Sequence, residues 1–415
     1  MLFNLLYKFK NNFLYLFFNK KRYELIINKL KAKKKINIIF LTNHISQWKY
    51  QILINMFNRN GKYITKVIFV PNDNYNKDYL TEFNFNKVEF KKINIELISS
   101  FNDKTNSWCD LNNSYKPDII FFSRSLLKSK NKYSILNFTN SLNCYVPYSI
   151  FIDNNDKLQC ATLFHKLLWK QFLPFKDNLE IAKKNYNANN VVITDYPGCD
   201  LFKLKKNSKK IWKNANNKKI IWAPHHTIDF INHKNYFSTF LNFFQHMIDL
   251  SIKYNDSIDF SFKPHPALKE KLYKHKEWSI NKTNDYYKFW KNSENTLLSE
   301  SGYQDLFIES DSLILDSVSF TAEYLYLEKP YCFLTKDNFD YSKSLNIIGK
   351  KIFEKINKVN NISSLEDFIK NSVLKSDKKQ LINQKGILNN INVLNNKNLL
   401  ASQNIYNFIN KTIES

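Results

Sequence analysis

IIWAPHHT, residues Ile220–Thr227, is an apolar run that empties into two histidines. The same event recurs in FKPHP (Phe262–Pro266) and in SDSLILDSVSF (Ser310–Phe320). Continuous apolar runs of this kind read as strands of a parallel sheet buried on both faces. In open α/β sheets, ligands bind beyond the carboxyl ends of the strands, so three such ends in succession predict one shared crevice. Imidazoles, small hydroxyls and the backbone N–H groups of a helix start are what a phosphate-bearing ligand needs there.

Working outward, strands alternate with helical spacing from Ile36 to about Phe202. Strands are expected at Ile36–Thr42, Tyr63–Val70, Asn94–Ser99, Asp118–Phe122, Cys144–Phe151 and Asn190–Thr194, with helices such as Trp48–Arg59 and His165–Lys184 between them. After a polar linker at Leu204–Lys219 the alternation restarts. Strands Lys219–Ala223, Ile258–Lys263, Thr296–Ser299, Ser312–Leu315 and Tyr331–Leu334 are interleaved with helices Tyr236–Tyr254 and Ser319–Glu328. This pattern predicts an α/β protein of two Rossmann-like domains, their parallel sheets facing a central cleft. The expected organisation is a basic amphipathic segment (1–35), a first domain (36–205), a second domain (206–345) and a helical carboxyl-terminal tail (346–415). Helical stretches in that tail are Leu365–Leu374 and Leu399–Ile413.

The chain of 415 residues has room for two domains, and 43% hydrophobic content supplies their cores. Five glycines in all leave no P-loop and no GxGxxG fingerprint, so phosphate must be held by side chains and helix starts. The net charge of +25 favours anionic partners. Its lysines are scattered through every segment, which describes a generally basic surface and not a nucleic-acid stripe. Five separated cysteines without a CxxC pair fit a reducing, cytoplasmic compartment. At the amino terminus Leu2, Leu5, Leu6, Phe9, Phe13, Leu16 and Phe17 recur at helical spacing beside Lys8, Lys10, Lys20, Lys21 and Arg22. Such a helix either lies peripherally on an anionic membrane surface or packs on the protein's own core.

The site residues follow from the three strand ends. His225 and His226, both candidate catalytic residues, diverge after Pro224, so one can face the crevice while the other braces the loop at Thr227, whose hydroxyl is a candidate donor ligand. His265 stands between Pro264 and Pro266, whose fixed φ angles hold it where a strand ends, and Lys263 adds charge beside it. Asp316, Ser317, Ser319 and Thr321 surround a helix start, as caps or as phosphate ligands. Glu323, one turn inside, can accept hydrogen bonds from sugar hydroxyls. His165, near Trp169 and Phe172, is either a core-edge residue or a catalytic one. A zinc site of His225, His226 and His265 is disfavoured because adjacent histidines are poorly arranged to share a metal; no cofactor is required, and Mg2+ stays open.

Taken together, WAPHHT, FKPHP and SDSLILDSVSFTAEYLYLEKP resemble the CDP-glycerol glycerophosphotransferases of teichoic-acid and capsule polymer synthesis. NCYVPYSIFI and VVITDYPGCD look like the same family, and the resemblance runs from about Asn143 to Leu334. It implies a GT-B-like fold with the donor nucleotide held mainly by the second domain. It also implies transfer of glycerol or ribitol phosphate from CDP-glycerol or CDP-ribitol to a hydroxyl of a glycan or lipid-linked acceptor, with release of CMP. By position, His265 would bind or protonate at the diphosphate, Ser317, Ser319 and Thr321 would hold phosphates, and Glu323 the ribose. The family's Trp-His-Gly motif, bearing the proposed base, is replaced by Val146-Pro147-Tyr148, leaving His165 and His44 as base candidates. A sugar-nucleotide glycosyltransferase and a non-catalytic polyanion-binding protein are the rival readings.

Overall fold

In the computed structural model, residues 19–71, 79–125, 132–204, 210–228, 237–300, 302–337, 339–375, 386–387 and 399–414 are described. The described residues form two compact units: those within 1–150, 155–200 and 392–415 belong to the first, and those within 151–154 and 201–391 to the second.

The first unit is built on β1 (Ile36–Thr42), β2 (Tyr63–Phe69), β3 (Leu97–Ser99), a short hairpin of β4 (Phe101–Asn102) and β5 (Ser107–Trp108), β6 (Ile119–Phe122), β7 (Leu142–Tyr145), β8 (Lys170–Leu173) and β9 (Val191–Ile193). Its main sheet has the order β3-β2-β1-β6-β7-β8-β9, all parallel. Alternation along β1 sends Ile38 and Phe40 to one core layer and Ile39 and Leu41 to the other, as a sheet covered by helices on both faces requires. The second unit carries β10 (Lys218–Ala223), β11 (Ile258–Phe262), β12 (Thr296–Leu298), β13 (Ser312–Leu315), β14 (Tyr331–Leu334) and β15 (Asn357–Val359) in the parallel order β12-β11-β10-β13-β14-β15. Each sheet is wound outward in both directions from its first strand. The order therefore reverses between β1 and β6 in one and between β10 and β13 in the other, the places where such sheets bind ligands.

Several expected elements differ, each for a local reason. The helix expected at His165–Lys184 is two helices, Leu163–Leu167 and Lys176–Tyr186, separated by β8. Its segment Leu167–Leu173, apolar except for Lys170 and Gln171, fits a buried strand as well as a helix face. The strand expected at Cys144–Phe151 stops at Tyr145, two residues before Pro147, which has no N–H to give the ladder. Residues 346–415 are not a purely helical tail. β15 extends the second sheet beyond β14, while the Ala401–Glu414 helix packs Ile405, Ile409 and Ile413 into the first unit's core. The buried Asp200 carboxylate accepts Ala401 N–H at 2.7 Å and Ser402 N–H at 2.8 Å, satisfying two otherwise unpaired donors of that helix start.

At the amino terminus, Leu2 through Phe17 with Lys8 and Lys10 lie outside the described residues. Residues 19–31 are helical and bury Tyr23, Ile26 and Leu30 in the first unit, with Tyr23 Oη donating to Leu167 O at 2.6 Å. Lys20 and Lys21 face solvent, and the Arg22 guanidinium lies over the Tyr23 ring. Among the described residues no helix is long and apolar enough to cross a membrane.

Candidate functional site

The site begins where β10 ends. Pro224 cannot extend the ladder, so the chain leaves the sheet and the His225 N–H turns to the carboxylate of Asp316, the first residue after β13. Ala223 and Leu315 are paired in register, which brings these two strand ends together. Asp316 also accepts the Thr239 N–H and, at 2.9 Å, the Thr239 hydroxyl. Fully enclosed, its carboxyl is raised to about 6 by burial, against the pull of those three donors. Asp316, expected to bind the donor, braces β10, β13 and the start of the Phe240–Lys253 helix through these bonds.

His265 is fixed on the neighbouring strand end. Its N–H donates to Pro224 O at 3.1 Å, and its Nδ1 accepts the Ala267 N–H at 3.1 Å. His225 Nδ1 lies 3.0 Å from Thr227 Oγ1, which already accepts the Phe237 and Ser238 N–H groups at 3.1 and 3.2 Å. A hydroxyl has two acceptor sites and one proton, so Thr227 must donate to His225. The nitrogen facing away from each contact, Nε2, therefore carries the proton in both neutral rings. Thr227, read from sequence as a donor ligand, is spent on this orientation.

The three rings are close: His226 and His265 centroids are 4.1 Å apart, His225 and His226 4.4 Å, and His225 and His265 5.3 Å. One nitrogen from each lies within 4.8 Å of the others. Adjacency in sequence thus does not keep His225 and His226 from sharing a site, contrary to the argument made from spacing. Burial first, then the His226 imidazole and the Lys263 and Lys271 ammonium groups, hold His265 down to about 3; burial first, then the His226 and His265 imidazoles and Lys271, lowers His225 well below its ordinary value. His225 and His265 are therefore neutral at neutral pH, and Lys263, only 7% exposed, lies beside His265.

At the adjoining helix, Val318–Tyr324, Ser317 is the N-cap but makes no side-chain cap bond, and Ser319 is half-buried. Thr321 is spent internally: its hydroxyl donates to Ser317 O at 2.9 Å and it is 1% exposed. Glu323 is 2% exposed and accepts the Tyr303 hydroxyl. Lys336, just past β14, was not singled out from sequence. Burial lowers its ammonium to about 7, opposed by the Asp316 carboxylate. Its signal was a cation two residues after the strand YCFL, close to the place Lys263 takes as the first residue after β11. Lys271 and Tyr303 were likewise missed, because each comes from a loop or helix that only folding brings near.

His165 belongs to the first unit and is sealed in its core. It is 0% exposed, its ring lies 4.9 Å from Tyr145 and 5.2 Å from Phe164, and burial lowers it to about 3. Its Nδ1 accepts the Thr162 N–H at 3.2 Å, which makes it part of a helix cap. The core reading of His165 is the one this geometry fits. His44 stands at the end of β1, its Nδ1 accepting the Ser46 N–H at 3.1 Å and its ring stacked on Phe85.

The fold has solved counterparts. The wall teichoic acid polymerase TagF superposes with a TM-score of 0.56 at 14% identity, covering 97% of this chain and 98% of that one. S. aureus MnaA, solved with UDP, gives 0.57 at 14% identity over 90% and 96%. The UDP-GlcNAc 2-epimerase of Neisseria meningitidis, bound to UDP-GlcNAc, gives 0.56 at 13% identity over 91% and 99%. At such identities the likeness establishes the fold, the GT-B-like pair of parallel-sheet units expected from the strand pattern. No curated protein matches the chain in sequence. The sequence model of CDP-glycerol:poly(glycerophosphate) glycerophosphotransferases, in contrast, matches residues 175–411, more than half of the chain and the whole of the histidine-bearing sheet. The chain is therefore a transferase and belongs to the CDP-glycerol:poly(glycerophosphate) glycerophosphotransferase family.

Proposed function

We propose that this protein moves glycerol phosphate from CDP-glycerol to a hydroxyl of a glycan or lipid-linked acceptor in the synthesis of a teichoic-acid-like or capsular surface polymer, releasing CMP. The observation that carries the reading is the histidine cluster. His225 and His265 each have Nδ1 engaged by a donor, so their Nε2–H groups are hydrogen-bond donors at the switch point between β10 and β13. Donors with fixed tautomers in a poorly hydrated site favour an anion such as a diphosphate. Metal-binding histidines show the opposite arrangement, in which the second nitrogen donates its proton to a carboxylate or carbonyl. This supports a metal-free cluster. Mg2+ is a cation of oxygen ligands, and the Asp316 carboxylate, which meets the His225 backbone, is already committed to three donors.

In the reaction the acceptor oxygen attacks the β-phosphorus, the bond from that phosphorus to the bridging oxygen breaks, and CMP departs with the electron pair. His265 and His225 hydrogen-bond the diphosphate as charge moves onto the leaving phosphate, and Lys263 and Lys336 balance that charge. Ser317 and Ser319 offer hydroxyls at the helix start, and Glu323 accepts from the ribose. The acceptor's proton passes to solvent as the new P–O bond forms, and not to His165 or His44, whose Nδ1 atoms both accept a backbone N–H, leaving Nε2 protonated. Positioning of the acceptor against the β-phosphorus and balance of the developing charge are what these residues contribute to the acceleration. Exposed Lys20, Lys21, Lys29 and Lys31 on the 19–31 helix support peripheral attachment to an anionic membrane face. Chromatography of nucleotides after incubation with CDP-glycerol, CDP-ribitol or UDP-GlcNAc, each with a membrane extract as acceptor, tests the donor. CMP from CDP-glycerol supports the reading; CMP from CDP-ribitol alone moves it to ribitol phosphate, and nucleotide from UDP-GlcNAc alone overturns it.

A further inference from the structure

The Tyr79–Lys92 helix, which joins β2 to β3, carries apolar side chains on two opposite sides. Tyr79 and Phe90 are buried in the first unit's core, as a helix laid on a sheet requires. Leu80, Phe85 and Val88 stand on the other side and are 44%, 49% and 58% exposed. A lone exposed apolar side chain needs no explanation, but three within about two helical turns form a patch. Lys87, Lys91 and Lys92 are exposed among them, while Glu82 is half-buried and the Glu89 carboxylate, 13% exposed, is paired with Lys92. The helix is also tied to the carboxyl end of the first sheet. The Phe85 ring stacks on His44, just past β1, with centroids 5.9 Å apart, and Asn86 Oδ1 accepts the Ile45 N–H at 2.6 Å.

We infer that this outer face of the Tyr79–Lys92 helix is a lipid-docking surface. Leu80, Phe85 and Val88 enter the interface of an anionic bilayer, and the three lysines meet its headgroups, the division of labour of a helix lying in the membrane plane. Charge favours a bilayer over a second copy of the chain, since two copies would set these lysines against each other on molecules of net charge +25. The inference rests on the peripheral attachment proposed above and supplies the apolar element that the lysines of the 19–31 helix lack. Attraction between those lysines and headgroups is screened by salt, whereas burial of apolar side chains is not. Both helices belong to one layer, because Tyr23, Ile26 and Leu30 share a core cluster with Tyr79 and Phe90. Docking here holds the carboxyl end of β1 beside the interface at which a lipid-linked hydroxyl is presented.

The test is cosedimentation of the full chain with phosphatidylcholine vesicles, with and without phosphatidylglycerol. The variants are Leu80→Ser/Val88→Ser, Lys87→Glu/Lys91→Glu and Val88→Trp. All four positions are exposed, and a thermal midpoint checks that each variant keeps the fold. The wild type is expected to bind the phosphatidylglycerol vesicles. Leu80→Ser/Val88→Ser should bind them about tenfold more weakly, a ratio kept in raised salt. Lys87→Glu/Lys91→Glu should lose about tenfold in low salt and little in raised salt. Val88→Trp should bind more tightly, because an indole favours the interface, a gain that a merely structural role of Val88 would not produce. Wild-type binding that Leu80→Ser/Val88→Ser leaves unchanged overturns the inference and leaves the attachment to the 19–31 helix. No wild-type binding to either vesicle overturns the attachment reading and this inference with it. A dimer in sedimentation velocity that Leu80→Ser/Val88→Ser dissociates also overturns the inference, by giving the face to a second copy.

Discussion

Replacing His265 by alanine removes a neutral hydrogen-bond donor and no charge, because burial holds its imidazole at about 3. The flanking Pro264 and Pro266 keep their own φ angles, and His265 N–H still reaches Pro224 O, so the backbone stays in place. What the fold loses is the acceptor for the Ala267 N–H, at a partly exposed helix start where water can substitute. That costs about 1 kcal/mol, or about 2–4 °C in thermal midpoint for a unit of this size. What the reaction loses is one fixed donor facing the charge that develops on the departing phosphate. Donors of this type contribute about 100- to 1,000-fold to kcat. The assay is steady-state CMP release at saturating CDP-glycerol, beside a melting curve of the same preparation. A His265→Ala variant that melts near the wild type and retains kcat within about threefold would refute the role given to the cluster.

Other outcomes follow from the frame around the cluster. Asp316→Ala strands three enclosed donors from His225 and Thr239 and is expected to cost about 3–5 kcal/mol in urea unfolding; a loss below about 1 kcal/mol would contradict its bracing role. Acidification should destabilise the protein. His265 and His165 are held to about 3 and His225 is also lowered, so their contribution is complete above the unfolded value of 6.5 and is lost as pH falls toward about 3. Asp316, raised to about 6, acts oppositely, stabilising the folded form below 3.8 and losing that effect as pH rises through about 6. Three histidines outweigh one carboxyl, and a melting midpoint that stays level or rises from about pH 7.5 to about pH 5 would count against the buried neutral imidazoles. Gly349→Ala places a Cβ 2.2 Å from Ile152 O, and the backbone shift required is expected to cost more than about 2 kcal/mol, despite alanine's better helix propensity; an equal or higher midpoint would show that the approach can relax. Asp200→Ala removes the acceptor for two N–H groups of the Ala401–Glu414 helix and should lower stability by about 1–2 kcal/mol, read by chemical denaturation.

The strand ends were legible in sequence because a buried parallel strand must be apolar along its whole length, so its end is marked by the first polar residues. IIWAPHHT and SDSLILD show this, and the observed β10 and β13 stop within a residue or two of those marks. Spacing also singled out His265, since paired prolines are a local restraint that survives into the fold. What spacing could not reveal is which polar groups would be consumed by one another. Asp316 and Thr321 read as ligands because each is polar and near a helix start, and Thr227 because it ends a strand run, but their partners, Thr239, Phe237 and Ser317 among them, are fixed only when the loops close. His165 was ambiguous for a related reason: Leu167–Leu173 fits a helix face or a strand, and only the observed β8 settles that the histidine is folded inward. Lys336 and Tyr303 stood in segments with no motif, and their proximity to Asp316 and Glu323 is a product of topology.

The most direct test follows the phosphorus. In a 31P NMR time course of the protein with CDP-glycerol and an extract-derived acceptor, the two diphosphate resonances should decay together while CMP and a new phosphodiester resonance grow in equal amounts. Loss of diphosphate signal as CMP and free glycerol phosphate without phosphodiester, or no change while a UDP-sugar in the same tube is consumed, would contradict the assignment.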